Sequence, residues 1–245
     1  MTIIITHISQ HGIIHAADSR LTDTNTGNSA GEGQKLFEIP RFGSALTVAG
    51  QYSVGSECMD KWMRDFIAGD TSRSLAEFVD NLRNTVDTRA SEEEKGEGYF
   101  IHIAGYAGSG HARHPEFYHI TNYRIDQTTG HYFIDDPALR SSEDFWRNNQ
   151  ATPLDVLFAG GRGFIYCNGY PAGRQAYWAL LRRMEEFRSR AWSEPSWPFR
   201  PPSNIDEEAA YLRNDMEHIN LLFLCSNLTD PPIGGKIQMY TIPSS

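Results

Sequence analysis

Residues 2–7 form a β-branched run, His11-Gly12 marks a turn, and residues 13–17 form a second run, so the chain is expected to open on a β-hairpin rather than a frayed tail. The Thr-, Asn-, Gly- and Ser-rich stretch 22–33 reads as a loop. A second strand pair is expected at 35–39 and 44–49, turned by residues 40–43.

Gly50 breaks the strand pattern and helical periodicity follows. Cys58, Met59, Trp62, Met63 and Phe66 recur every three or four residues, which predicts a helix with Ser53 as N-cap and an end at Gly69-Asp70. A second helix is expected from about Ser74, with Leu75, Phe78, Val79, Leu82 and Val86 on one face, and the acidic stretch 91–98 reads as a solvated connection. Strands are expected at 99–106, 116–121, 131–134 and 154–159, helices at about 174–187 and 206–225, and a closing strand at 236–242. A Pro/Trp-rich insertion near 188–205 holds four of the twelve prolines. The order strands, two helices, strands, two helices, strand predicts an α+β fold of two packed antiparallel sheets with helices outside, over 1–245 as a single domain.

The formal net charge is −9 and no basic stripe is present, which disfavours nucleic acid and anionic membrane as partners. No stretch approaches the ~20 apolar residues of a membrane span. The first residues lack the charged flank and apolar length of a signal peptide, so a cytoplasmic location is expected. Cys58, Cys167 and Cys225 have neither close pairing nor metal-ligand spacing and are expected to be free, small, buried side chains. No cofactor or metal is expected.

Four features carry chemistry. A Thr hydroxyl needs a base to take its proton, and a free α-amine, with a pKa of roughly 7.7–8.0, supplies one from the same residue. Thr2 meets that condition once Met1 is trimmed. The run His15-Ala-Ala-Asp18-Ser19-Arg20 ends a strand on an acid, a hydroxyl and a base, close to Thr2 through the paired first strand. Lys35 stands alone at the start of an apolar strand, where an ammonium held by Asp18 lowers the pKa of the Thr2 hydroxyl and amine. Gly50 lies at a strand-to-helix junction, where its N–H is placed to meet a developing oxyanion.

In this order Thr2, Ala16-Ala17-Asp18-Ser19-Arg20, Lys35-Leu36-Phe37 and Ala49-Gly50 resemble the proteasome β-subunit family of N-terminal-nucleophile hydrolases. The Thr2-to-Asp18 interval is the family's own, Lys35 sits one residue later, and residues 233–242 resemble its last core strand. The resemblance implies a four-layer αββα sandwich and a threonine-type peptidase. Thr2 is then nucleophile and base, Asp18 and Lys35 tune it, Gly50 is the oxyanion donor, and the substrate pocket is expected to be lined by residues near 19–21, Ser19 and Arg20 among them, and near 47–52. It also implies peptide or unfolded-protein substrates and self-association into a ring or helical stack, with any unfoldase partner unidentified. Two Ser positions that support the amine in the family are read at 159–163 and 230–234. The first has no Ser, and the second keeps Asp230 but has Ile233 in place of Ser. These departures point to a divergent bacterial branch, similar to the ancestral-β-subunit group.

The cluster His111, His114 and His119 lacks companion ligands at a recognised spacing and reads as structural. Gly160-Gly-Arg-Gly163 lacks the Lys-Ser/Thr ending of a phosphate loop. Trp192, Trp197 and Phe199 read as loop packing, or, if exposed, as a subunit or partner contact. Two alternatives to the peptidase stay open: an inactive ring-forming scaffold, and an amidase acting on a small molecule.

Overall fold

The computed structural model describes residues 2–244, apart from 24, 25, 27, 127, 129–131, 160–161, 195, 197–199 and 227–232. The two leading runs pair as expected: β1 (Ile3–Ser9) and β2 (Gly12–Asp18) are antiparallel, from Ile4↔Ala17 to Ser9↔Gly12. β3 (Arg20–Thr22) and β4 (Ser29–Glu32) make a short exposed ribbon, then β5 (Leu36–Ile39) and β6 (Ser44–Gly50) pair. β7 (Ser53–Val54) and β8 (Glu57–Cys58) lead into α1 (Met59–Gly69), α2 (Leu75–Arg89) and α3 (Glu92–Glu97). Next come β9 (Tyr99–Ala107), β10 (His114–Thr121), β11 (Arg124–Ile125), β12 (Tyr132–Phe133) and β13 (Arg140–Glu143). The chain continues through α4 (Trp146–Asn149), α5 (Leu154–Leu157), β14 (Phe164–Gly169), α6 (Pro171–Ser193), α7 (Ile205–Leu224) and β15 (Ile237–Pro243).

The fold is mixed α+β with several antiparallel sheets. The two largest have strand orders β14-β1-β2-β15 and β13-β10-β9-β6-β5. Because side chains alternate along a strand, each strand feeds two cores. Ile3, Ile5, Ile14 and Ala16 pack with Tyr177, Leu181, Leu212 and Ile219 of α6 and α7. Leu46, Val48, Ile101 and Ile103 pack with Trp62, Met63, Phe78 and Leu82 of α1 and α2. The opposite faces meet each other: Ile8 and Ile13 against Ala45, Ala104 and Phe117, and Ile4 and Ala17 against Ala49 and Phe100. Burying a side chain of this size contributes about 1.5–3 kcal/mol. Each helix pair is thus held by one face of a sheet.

Several local expectations are corrected. Residues 154–159 are not a strand: α5 puts Leu154, Leu157 and Phe158 into one core while Val156 stays exposed, and that three-and-four spacing is helical. The strand lies later, at β14. Ser53 does not cap α1. Gly55 and Ser56 both have positive φ (60° and 67°), which closes the β7–β8 hairpin and delays the helix to Met59. The acidic stretch 91–98 is not merely solvated. A reciprocal capping box between Ser91 and Glu94 starts α3, and the buried Glu94 carboxylate accepts the Ser53 hydroxyl and the N–H groups of Gly55 and Ser56. The predicted loop 22–33 contains β4. α6 runs on to Ser193, so the start of the predicted insertion is helical, while Trp197 and Phe199 lie outside the described residues. Of the three free thiols, Cys167 is buried but Cys58 and Cys225 are exposed. No helix among the described residues is long and apolar enough to cross a membrane.

Candidate active site

The ends of the two large sheets place the site. Asp18 is the last residue of β2, and its neighbour in β15 is Ile237. Thr2 directly precedes β1, and its carbonyl accepts the Tyr170 N–H at 2.7 Å, from the turn between β14 and α6. Lys35 immediately precedes β5 in the other sheet, and its carbonyl accepts the Val48 N–H at 2.9 Å. Lys35 therefore reaches across from one sheet to the strand ends of the other.

Its Nζ lies 3.7 Å from Asp18 Oδ2 and donates to the Thr2 hydroxyl and to the Arg20 carbonyl. Asp18 is fully buried and also accepts the Ile3 N–H at 2.8 Å and the Gly234 N–H at 3.3 Å. Lys35 is 1% exposed and Thr2 5%, so this is an almost dry ion pair against a hydroxyl. Desolvation brings the Lys35 ammonium down to about 8, against the pull of Asp18. Burial pushes Asp18 up, opposed by Lys35 and the two N–H donors.

Gly50 borders the same cavity, a cleft of about 390 Å³ that also contains Thr2, Lys35, Ala49, Asp23, Tyr52, Glu97 and Tyr123. Its φ is +91°, and a Cβ there would lie 2.3 Å from the Gly98 carbonyl oxygen. Gly50 is not at a helix N-terminus as expected, because the β7–β8 hairpin separates it from α1. Of the walls expected at 19–21 and 47–52, Leu21 and residues 48–52 line the cleft, joined by Thr22 and Asp23, whereas Ser19 and Arg20 are not among its described lining residues. The Ser19 hydroxyl accepts the Lys236 N–H at 2.7 Å and ties β15 to the site, and the Arg20 carbonyl holds Lys35.

Asp230 lies outside the described residues. Ile233 is fully buried in the core under α6 and α7, so the position read as a missing Ser holds a packing residue, while the next N–H, that of Gly234, serves Asp18. The strand-to-helix turn beside Thr2 is Gly169-Tyr170-Pro171, not residues 159–163, because the strand is β14. That turn also lacks Ser.

Gln238 was not singled out from sequence. Its side-chain carbonyl accepts the N–H groups of Lys35 and Leu36 at 2.8 and 3.0 Å, and its amide donates to the Gly33 carbonyl at 2.6 Å. An amide inside a closing strand is the one local signal that marked it. The three histidines expected to be structural do different things: His111 is exposed, His114 stacks on Trp146 at 4.0 Å, and His119 stacks on Phe100 inside the fold. Among the described residues no group of three or more His, Cys, Asp or Glu is gathered to hold a metal.

The chain matches no protein-family model and no curated protein. Any chemistry proposed for it therefore rests on the geometry of Thr2, Asp18 and Lys35 and on the resemblance of the motifs that carry them.

Proposed function

We propose that this chain is a threonine-type N-terminal-nucleophile hydrolase of the proteasome β-subunit kind, cleaving peptide or other amide bonds with Thr2 once Met1 is removed. The observation that carries the reading is the Lys35 ammonium donating to the Thr2 hydroxyl while a buried Asp18 stands behind it. Two facing antiparallel sheets with a helix pair packed on each agree with the family's four-layer αββα arrangement.

In this reading the Thr2 amine takes the hydroxyl proton as Oγ1 attacks the amide carbonyl carbon. Lys35 lowers the cost of the developing alkoxide, and the Gly50 N–H meets the oxyanion in the cleft. Collapse of the tetrahedral species passes the proton to the leaving amine. Water, activated by the same α-amine, then hydrolyses the ester and frees Thr2. Peptide substrates and ring or helical self-association come with the resemblance and belong to the same proposal, as does the cytoplasmic setting expected from the sequence.

One observation favours the inactive-scaffold reading: neither turn read as supporting the amine carries a Ser, and Ile233 is committed to the core. Intact-mass measurement combined with an acylating probe separates the two. A mature N-terminus at Thr2, and labelling that disappears in Thr2→Ala, support the hydrolase. A retained Met1 together with an unlabelled protein sinks it.

A further inference from the structure

A second cavity, about 500 Å³, lies between α6 and α7 and the far end of β1, and among the described residues shares no lining residue with the Thr2 cleft. Its β1 contribution is His7, five residues from Thr2 and so about 17 Å along the strand. This volume falls in the range of small-molecule sites.

Its lining has two parts. Tyr177, Trp192 and Tyr211 supply flat apolar faces. Tyr177 is fully buried, and its hydroxyl has no hydrogen-bond partner among the described residues. A buried hydroxyl left unpaired is costly, so one at a cavity wall marks a place where a ligand polar group gains.

The charged part is unbalanced. Asp215 and Arg188 are matched, at 2.7 and 3.3 Å, and the guanidinium also lies 4.6 Å from the centre of the Tyr211 ring, which leaves only its Nε without a hydrogen-bond partner among the described residues. Glu208 and Glu185 remain. Glu208 accepts the Ser9 hydroxyl at 2.5 Å and faces His11 at 4.0 Å, while Glu185 sits exposed at the mouth. No other Lys or Arg among the described residues borders the cavity. His7 is held neutral at pH 7, because burial lowers it to about 4.

We propose that this cavity is a second binding site, taking a small organic cation with a flat apolar body, of the arylalkylamine class. The ring packs among Tyr177, Trp192 and Tyr211, and the ammonium is received by Glu208 with Glu185 at the entrance. Aromatic faces and two carboxylates with no Lys or Arg partner among the described residues both favour a cation and disfavour an anion of the same shape. The site stands independently of any role for Thr2.

Isothermal titration calorimetry of the full chain with tryptamine, against indole-3-propionate as an anionic partner of similar size, tests this. Tryptamine is expected to bind with a Kd below about 1 mM, and the acid at least tenfold more weakly. Glu208→Gln and Tyr177→Phe are each expected to weaken tryptamine at least fivefold. Tyr177→Phe removes only an unpartnered hydroxyl, so its melting temperature should stay near wild type and loss of binding is not loss of fold. Equal affinity for both compounds, absence of binding at 10 mM tryptamine, or affinity unchanged in both variants would overturn the proposal.

Discussion

Lys35 Nζ stands 3.7 Å from Asp18 Oδ2 with both side chains essentially out of solvent, and the same ammonium donates to the Thr2 hydroxyl. Asp18 ends β2 and Lys35 leads into β5 of the other large sheet, so the pair also links the two sheets at the end where the cleft opens.

Removing one partner of such a pair leaves an uncompensated buried charge. Asp18→Asn is expected to cost about 3–5 kcal/mol in urea unfolding. Asp18→Leu combined with Lys35→Met is expected to recover most of that loss while abolishing labelling of Thr2. A double variant as unstable as Asp18→Asn would show that the ion pair, rather than the space it fills, holds the sheets together.

On the proposed mechanism, the pH profile of Thr2 acylation follows from two opposed requirements. The Thr2 amine must be unprotonated, which raises the rate through roughly pH 7.7–8.0. Lys35 must keep its proton, and burial has lowered it to about 8, so the rate falls above that point. A narrow bell centred near pH 8 is expected when labelling is followed from pH 5.5 to 10. A rate still climbing at pH 10 would exclude protonated Lys35 from the step.

Gly50→Ala is expected to be more harmful than a methyl group suggests. The backbone there is left-handed at φ +91°, which costs a non-glycine residue about 1–3 kcal/mol, and the Gly98 carbonyl oxygen leaves no room for a Cβ. Differential scanning calorimetry should show a clear drop in melting temperature. Labelling should fall further than unfolding explains, because the shift moves the cleft wall.

Between the sheets, His15 and His102 share the Thr6 hydroxyl at 3.2 Å each, and His102 also meets the Asn168 amide at 2.8 Å. His119 lies edge-on to His102, with ring centres 5.4 Å apart. Burial lowers His15 and His119 to about 4 and His102 well below its ordinary value. These groups stay neutral in the fold and take up protons on unfolding. Their contribution is complete above the unfolded value of 6.5 and is lost as pH falls from there toward 4. The loss amounts to about 1.4 kcal/mol per pH unit for each histidine. Urea midpoints measured from pH 7 to 4.5 should fall steeply, and because His7 is lowered in the same way, His102→Gln should shallow the slope by about a quarter. A flat profile would place protonated histidines inside the fold.

What residue order determined by itself was local. The β-branched runs specified the leading hairpin, the three-and-four spacing of Trp62, Met63, Phe78 and Leu82 specified the first helix pair, and the motif series put Thr2, Asp18, Lys35 and Gly50 on one list. These signals are readable because periodicity and turn chemistry act between near neighbours. The α5 helix and the β7–β8 hairpin were missed where a short apolar run or a Gly-Ser turn had more than one local solution. The tertiary structure alone decided which residues share the site. Gln238 grips Lys35 from 203 positions away, Ile233 spends its side chain on the core while Gly234 lends its N–H to Asp18, and Glu94 reaches back to Ser53. Each of these contacts depends on how two sheets and four long helices close on one another, and burial then sets the charge state of Lys35. No window along the chain encodes that desolvation, because it comes from neighbours supplied by distant strands.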